Sequence, residues 1–223
     1  MRAAAIAQPN IALIKYWGKR DVDRNLPAVG SISITLRDLF TEMDVRLDGS
    51  LTGDRLTVNG EPDVGMLPRL SNCLDRVLGY DRDPASIQSR CNFPIAAGLA
   101  SSASAFAALT VAAAAAAERP LETHELASSA GRASGSAARS LYGGFVELEN
   151  RPDDIAVRTL RAAEEWLLTV VIAVTASGPK AVGSTEAMEI SRKTSPFYSS
   201  CIEQQPHHLA IAREAIQQRE IAK

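Results

Sequence analysis

Cysteine is scarce in this 223-residue chain, and the three present, Cys73, Cys91 and Cys201, lie far apart. They form no C-x-x-C pair and no disulfide framework, which excludes a small stapled scaffold and suits a reducing, cytoplasmic setting. An excess of one charge is also lacking: 24 Lys and Arg against 26 Asp and Glu leave a net charge of -2. No basic field therefore advertises nucleic acid or an anionic membrane as a partner. With three histidines and no compact carboxylate cluster, no metal-ligand pattern stands out. The opening MRAAAIAQPNIALIKYWGK breaks its apolar run at Gln8, Pro9 and Asn10, unlike a secretory signal. One uncharged stretch, 95–117, is long enough for a membrane span. Alanine dominates it, however, and alanine contributes little to lipid partitioning.

What is present reads as a globular chain, 46% hydrophobic and 22% charged. Short apolar runs at 2–7 and 10–15 predict strands, and 18–25 reads as a polar loop. Thr41, Met43, Val45 and Leu47 alternate with polar residues, Leu56 and Val58 continue the pattern, and Asn59-Gly60 supplies a turn; this region predicts antiparallel sheet. Apolar groups spaced over 66–79 predict a helix stopped by Gly79. A strand is expected over 86–93, then a long alanine-rich helix capped by Ser101 or Ser102 and running to about Glu118. Helical character returns at 123–133, and Gly143-Gly144 turns into a strand ending near Asn150. The β-branched run Leu167–Val174 predicts a buried strand. A helix is expected over 181–193 and another after Pro206, with no Gly or Pro to stop it before Lys223. That open end favours a chain that is part of a longer protein.

The most chemically suggestive segment is PIAAGLASSASAFAAL, 94–109. A strand enters a glycine-bearing loop and then a helix of small residues. Free N–H groups at a helix start, with the helix dipole, favour an anion, and phosphate is the natural guest. An ordinary serine-capped helix start reads equally well from this segment alone. It is neither a Walker loop nor a G-x-G-x-x-G fingerprint.

Two further segments narrow the reading: PNIALIKYWGKRD at 9–21 and SGSAARSLYGGF at 134–145. Together with FPIAAGLASSASA at 93–105, they resemble the diphosphomevalonate decarboxylases of the GHMP kinase superfamily. LPAVGSISITL, NGE at 59–61, RLSNCL at 69–74 and VGSTEAM at 182–188 add shorter matches in the same order. The resemblance implies an α+β chain with a two-layer α/β GHMP-kinase-like fold. It would comprise a ribosomal protein S5 domain 2-like N-terminal lobe over 1–165 and a truncated C-terminal α/β lobe over 166–223.

The implied reaction is ATP-dependent decarboxylation of mevalonate 5-diphosphate to isopentenyl diphosphate, within isoprenoid synthesis. ATP and Mg2+ are the implied cofactors and a homodimer the implied assembly. By motif position, Lys15 and Arg139 are the implied active-site cations. Tyr16, Trp17, Gly18, Lys19, Arg69, Ser134, Gly135, Ser136, Ala137, Ala138, Ser184 and Thr185 are implied substrate contacts. Pro94, Ala97, Gly98, Leu99, Ala100, Ser101 and Ser102 are implied to cradle ATP phosphates.

Three departures accompany the resemblance. Ile95 stands where the family carries a threonine. Ala28-Val29-Gly30 replaces a more polar run before the serines, a change expected to loosen contacts near the nucleotide or the substrate. The family's Asp-Ala-Gly-Pro-Asn motif, whose aspartate acts on the 3-hydroxyl, does not occur in these 223 residues. Within the superfamily, a 3-kinase of mevalonate or its monophosphate, or a monophosphate decarboxylase, is the alternative. From another class, the chain is a ligand-binding form without turnover.

Overall fold

The structure is a computed structural model, and it describes residues 1–95, 98–173 and 182–220. The chain begins with β1 (Arg2–Ala7), β2 (Asn10–Ile14), β3 (Lys19–Asp21), β4 (Leu26–Pro27) and β5 (Ser31–Thr35). There follow β6 (Thr41–Leu47), β7 (Arg55–Val58), β8 (Glu61–Pro62), α1 (Leu67–Leu78), β9 (Ala85–Cys91), α2 (Ser101–Ala116) and α3 (Thr123–Ala133). After a short 3-10 turn at Ala137–Leu141 come β10 (Phe145–Asn150), β11 (Ile155–Arg161), α4 (Ser184–Thr194) and α5 (Tyr198–Gln218).

Two sheets organise these elements. The first has strand order β1-β6-β9-β7-β8, and the second β11-β10-β5-β2. The first sheet follows its period: Thr41, Met43, Val45 and Leu47 are buried, while Glu42, Asp44 and Arg46 face outward. Its buried face packs on α1 and α2 around Leu70, Leu74, Val77, Ile87, Phe106 and Leu109. α2 is buried on nearly every side, as its unbroken apolar composition requires. Alanine allows that close approach, and no helix among the described residues is long and apolar enough to cross a membrane.

The second sheet is covered on both faces. Ile32, Ile34 and Phe145 meet Leu209 and Ile216 of α5. On the opposite face Leu148 meets Ala127 of α3 and Ala138 of the 3-10 turn. Each sheet with its helices forms a two-layer unit of the expected α+β class, and α5 adds a further layer.

Several expectations are corrected. The first sheet is not wholly antiparallel, because β7 runs parallel to β9. The segment expected as a loop at 18–25 contains β3 and the turn of the β3–β4 hairpin. Ser101 and Ser102 do not cap α2; Ala100 holds the cap position at φ 52, and both serines lie in the first turn. α5 starts at Tyr198 and carries Pro206 within it, because an exposed face tolerates the one hydrogen bond proline removes. It stops at Gln218, where Arg219 turns left-handed at φ 59 and its N–H caps Ala215 and Ile216. Leu167–Ala173 forms no strand, and Leu167 and Val171 are 79% and 87% exposed. β-branched composition makes a strand only beside another strand, and none of the described residues pairs with it. Val174, the last residue of that run, lies outside the described residues.

Candidate functional site

The alternation of β5 builds one wall of the site. Ile32 and Ile34 point to α5, so Ser31 and Ser33 point to the other face, where the 3-10 turn presents Arg139. Arg139 is only 2% exposed. Its Nε donates to Ser33 Oγ at 2.8 Å, Nη1 to Ser31 Oγ, and Nη2 to Asn10 Oδ1 at 3.2 Å. Asn10 is itself held: its Nδ2 donates to the Ser136 carbonyl and to Ser140 Oγ. Among the described residues Arg139 has no carboxylate partner. Burial lowers its pKa to about 10, with neighbouring Tyr16 acting weakly the other way. A buried guanidinium satisfied only by neutral groups keeps its charge available to an anion.

The Lys15–Lys19 segment forms a second wall. The Lys15 ammonium lies 5.8 Å from the centre of the Trp17 ring. Tyr16 is tucked against Gly135, where an added Cβ would sit 2.3 Å from its hydroxyl. Burial raises the Tyr16 pKa. Gly18 has φ +116, and a Cβ there would fall 1.9 Å from the Tyr198 hydroxyl, so this position requires glycine twice over. Lys19 Nζ donates to Thr185 Oγ1 at 3.1 Å. Burial and neighbouring Arg69 lower the Lys19 pKa, and Glu189 opposes them. Arg69 stands 5.0 Å from the Phe106 ring centre and donates to the Ala133 carbonyl, one residue before Ser134.

The glycine–serine loop closes the third side. Ser102 Oγ lies 3.3 Å from Ser134 Oγ, joining the start of α2 to the SGSAAR segment. Gly98 has φ +92 with open space where a Cβ would go. Pro94 is exposed, Leu99 and Ala100 are half-buried, and Ala97 lies outside the described residues. Ala137 and Ala138 have their methyl groups in two separate cores. Ser184 opens α4 beside Thr185.

Sequence segments separated by more than a hundred residues thus meet: Arg139 with Asn10, Ser31 and Ser33, and Lys19 with Thr185. Asn10, Ser31 and Ser33 were missed as site residues, although each lies inside a matched segment. Tyr198 and Gln205 were missed because no local signal marks them. Gln205 is 8% exposed and donates Nε2 to the carbonyls of Lys15 (3.1 Å) and Gly30 (3.2 Å). Gly30 of the Ala-Val-Gly run is closely packed: a Cβ there would meet the Leu148 carbonyl at 2.9 Å and Leu209 Cδ1 at 3.0 Å.

Residues 7–156 match the model of the diphosphomevalonate decarboxylase-like N-terminal domain. The chain belongs to the diphosphomevalonate decarboxylase family. Residues 170–223 match the mevalonate 5-diphosphate decarboxylase C-terminal domain. The diphosphomevalonate decarboxylase of Saccharomyces cerevisiae is 36% identical over 242 residues, covering 99% of this chain and 61% of its own length. The chain therefore spans about three fifths of that relative. The crystal structure of mevalonate diphosphate decarboxylase from Staphylococcus aureus superposes with a TM-score of 0.85 at 36% identity, over 99% of this chain and 69% of that one. MDDEF in complex with MVAPP, AMPPCP and magnesium gives a TM-score of 0.84 at 31% identity, over 98% of this chain and 69% of that one.

Proposed function

We propose that this chain forms the ligand cleft of an ATP-dependent decarboxylase acting on (R)-5-diphosphomevalonate. The observation that carries the reading is Arg139, buried and charged with only neutral partners among the described residues. It is suited to hold the carboxylate that leaves as carbon dioxide. Lys15, Lys19 and Arg69, with the hydroxyls of Ser134, Ser136, Ser184 and Thr185, surround the diphosphate. The backbone N–H groups at the start of α2, with Ser101 and Ser102, meet the phosphates of ATP. The relative known with MVAPP, AMPPCP and magnesium supports this ligand set. No group of three or more acidic, His or Cys side chains among the described residues is arranged to hold a metal, so Mg2+ would ride on phosphate oxygens and neutralise their charge.

In the proposed reaction the substrate 3-hydroxyl takes the terminal phosphoryl group of ATP and gives up its proton. The C–O bond to that phosphate then breaks. As the carboxylate leaves, the electron pair of its C–C bond forms the new double bond. The products are isopentenyl diphosphate, ADP, phosphate and carbon dioxide. Arg139 orients the carboxylate, and the lysines and arginines offset the accumulated negative charge. The proton acceptor implied by the family is an aspartate of a motif that these 223 residues do not contain. We assign the lobes to 1–165 and 166–223, supported by family matches that leave 157–169 between them. A cytoplasmic homodimer is the proposed setting, supported for compartment by the dispersed free thiols.

Calorimetric titration of the 223-residue chain with mevalonate, its monophosphate and its diphosphate tests the binding half. The diphosphate should bind most tightly; equal affinity for all three sinks the assignment. In any preparation that turns over, ADP, carbon dioxide and isopentenyl diphosphate should appear in equal amounts. ADP without carbon dioxide leaves the 3-kinase reading instead.

A further inference from the structure

We propose that Gln205 of α5 is a positioning residue that fixes the Lys15–Lys19 segment for its anionic ligand. The proposal rests on the reading of that segment as a diphosphate site. The geometry is specific. One side-chain nitrogen carries two N–H groups, and each is given to a different backbone carbonyl, Lys15 at 3.1 Å and Gly30 at 3.2 Å. Lys15 lies one residue past the end of β2, and Gly30 one residue before β5. The amide therefore bridges the point where the chain leaves the second sheet and the point where it returns. Both carbonyls lie beyond the strand ladder, whose register ends at Ile14–Ile32. Burial leaves little water to replace the amide.

Seven residues earlier on the same helix, Tyr198 fills the space beside Gly18. That spacing returns to one helical face after two turns, so α5 holds both ends of the segment. Neither side chain faces the cleft with a charge, and neither lies in a motif shared with the ligand-contacting segments. Their influence on a ligand would pass through Lys15, Tyr16, Trp17 and Lys19, whose positions they set. A charge-assisted contact is sensitive to such placement because donors a fraction of an ångström out of line weaken steeply.

The test compares the whole chain with Gln205→Met, which keeps the length of the side chain and removes both donors. Ile216→Ala serves as a reference, because it loosens α5 on the same sheet without touching the segment. Two readouts are needed. The first is amide hydrogen exchange over residues 15–20 in the ligand-free chain, which excludes Ile11 and Ile14 of the cluster that Ile216 joins. Gln205→Met should accelerate exchange there while Ile216→Ala leaves it near the parent rate. The second is the Kd for mevalonate diphosphate, which should rise roughly tenfold in Gln205→Met, equivalent to the net worth of about one hydrogen bond, and stay unchanged in Ile216→Ala. Parent-like exchange in Gln205→Met overturns the proposal, as does an equal response of the two variants in either readout. A parent chain that binds no diphosphate would instead remove the functional reading, and the exchange measurement would still decide whether Gln205 holds the segment.

Discussion

At Arg139, a full charge is withdrawn from water and given hydroxyl and amide partners that carry no countercharge. That arrangement costs folding stability and leaves the charge for a ligand to neutralise. Replacing it by glutamine keeps some hydrogen bonding and removes the charge. Arg139→Gln should weaken mevalonate diphosphate binding by on the order of a hundredfold, read by calorimetry, as expected for losing charge-assisted bonds worth about 2–3 kcal/mol. The pH profile supplies an independent check. A base with a depressed folded pKa binds ligand anions only below that pKa. Lys19 is depressed below the ordinary lysine value and Arg139 to about 10. Affinity should therefore begin to fall below the normal lysine range, from Lys19, and fall again as Arg139 loses its proton near 10. In Arg139→Gln only the first step should remain; identical profiles in the two chains would remove Arg139 from the site. The linkage to folding has the opposite sign. Above about 10 the unfolded chain holds more protons at this position than the folded one, so the cost of burying Arg139 declines as pH rises.

At the scale of elements, α5 is tied to the second sheet by an acid with both oxygens occupied. Glu147 of β10 is fully buried, and it accepts from Arg213 of α5 at 2.8 Å and from Arg158 of β11 at 2.8 Å. The hydrogen bond to Glu147 is the main cause that raises the Arg213 pKa. Arg158 is 56% exposed and Arg213 33%, so solvent screens both partners and the clasp is worth less than a fully buried triad. Glu147→Gln should lower unfolding stability by about 1–3 kcal/mol, seen as a lower urea midpoint with an unchanged slope. An unaltered midpoint would mean that the clasp adds nothing to the apolar contacts of Leu209 and Ile216 and the hydrogen bonds of Gln205 and Arg161. This is also the scale at which sequence reading was least complete. β5 went unrecognised as a strand because both of its faces are buried, and its serines serve Arg139 instead of solvent. β11 lies at a sheet edge, where alternation is blurred. Pro206 marks a boundary in the sequence, yet the helix passes through it because its exposed face tolerates the hydrogen bond proline removes.

Across the whole molecule, the thiols report how tightly the first core is closed. Cys73 sits among Leu70, Leu74 and Phe106, and burial pushes its pKa up to about 12. Cys201 lies exposed on α5. At neutral pH iodoacetamide should modify Cys201 quickly and Cys73 only through unfolding, so urea should erase the difference; mass spectrometry of peptides reads both sites. Comparable rates in native buffer would show a core open to solvent. The raised pKa also means that the folded state holds this proton longer, so stability should decline as pH rises from the unfolded thiol value towards 12.

The sequence by itself determined the local chemistry. Two-residue alternation set the buried face of β6, alanine made α2 thin enough to bury, and three motifs marked the cations and hydroxyls proposed to bind ligand. It determined these because side-chain period, size and charge act over a few residues. Only the tertiary structure decided which of those groups share a space: that Arg139 faces Ser31 and Ser33, that Lys19 reaches Thr185, and that Gln205 bridges Lys15 and Gly30. These contacts join residues more than a hundred positions apart. Their formation depends on sheet register and helix docking, which the collective burial of apolar surface fixes.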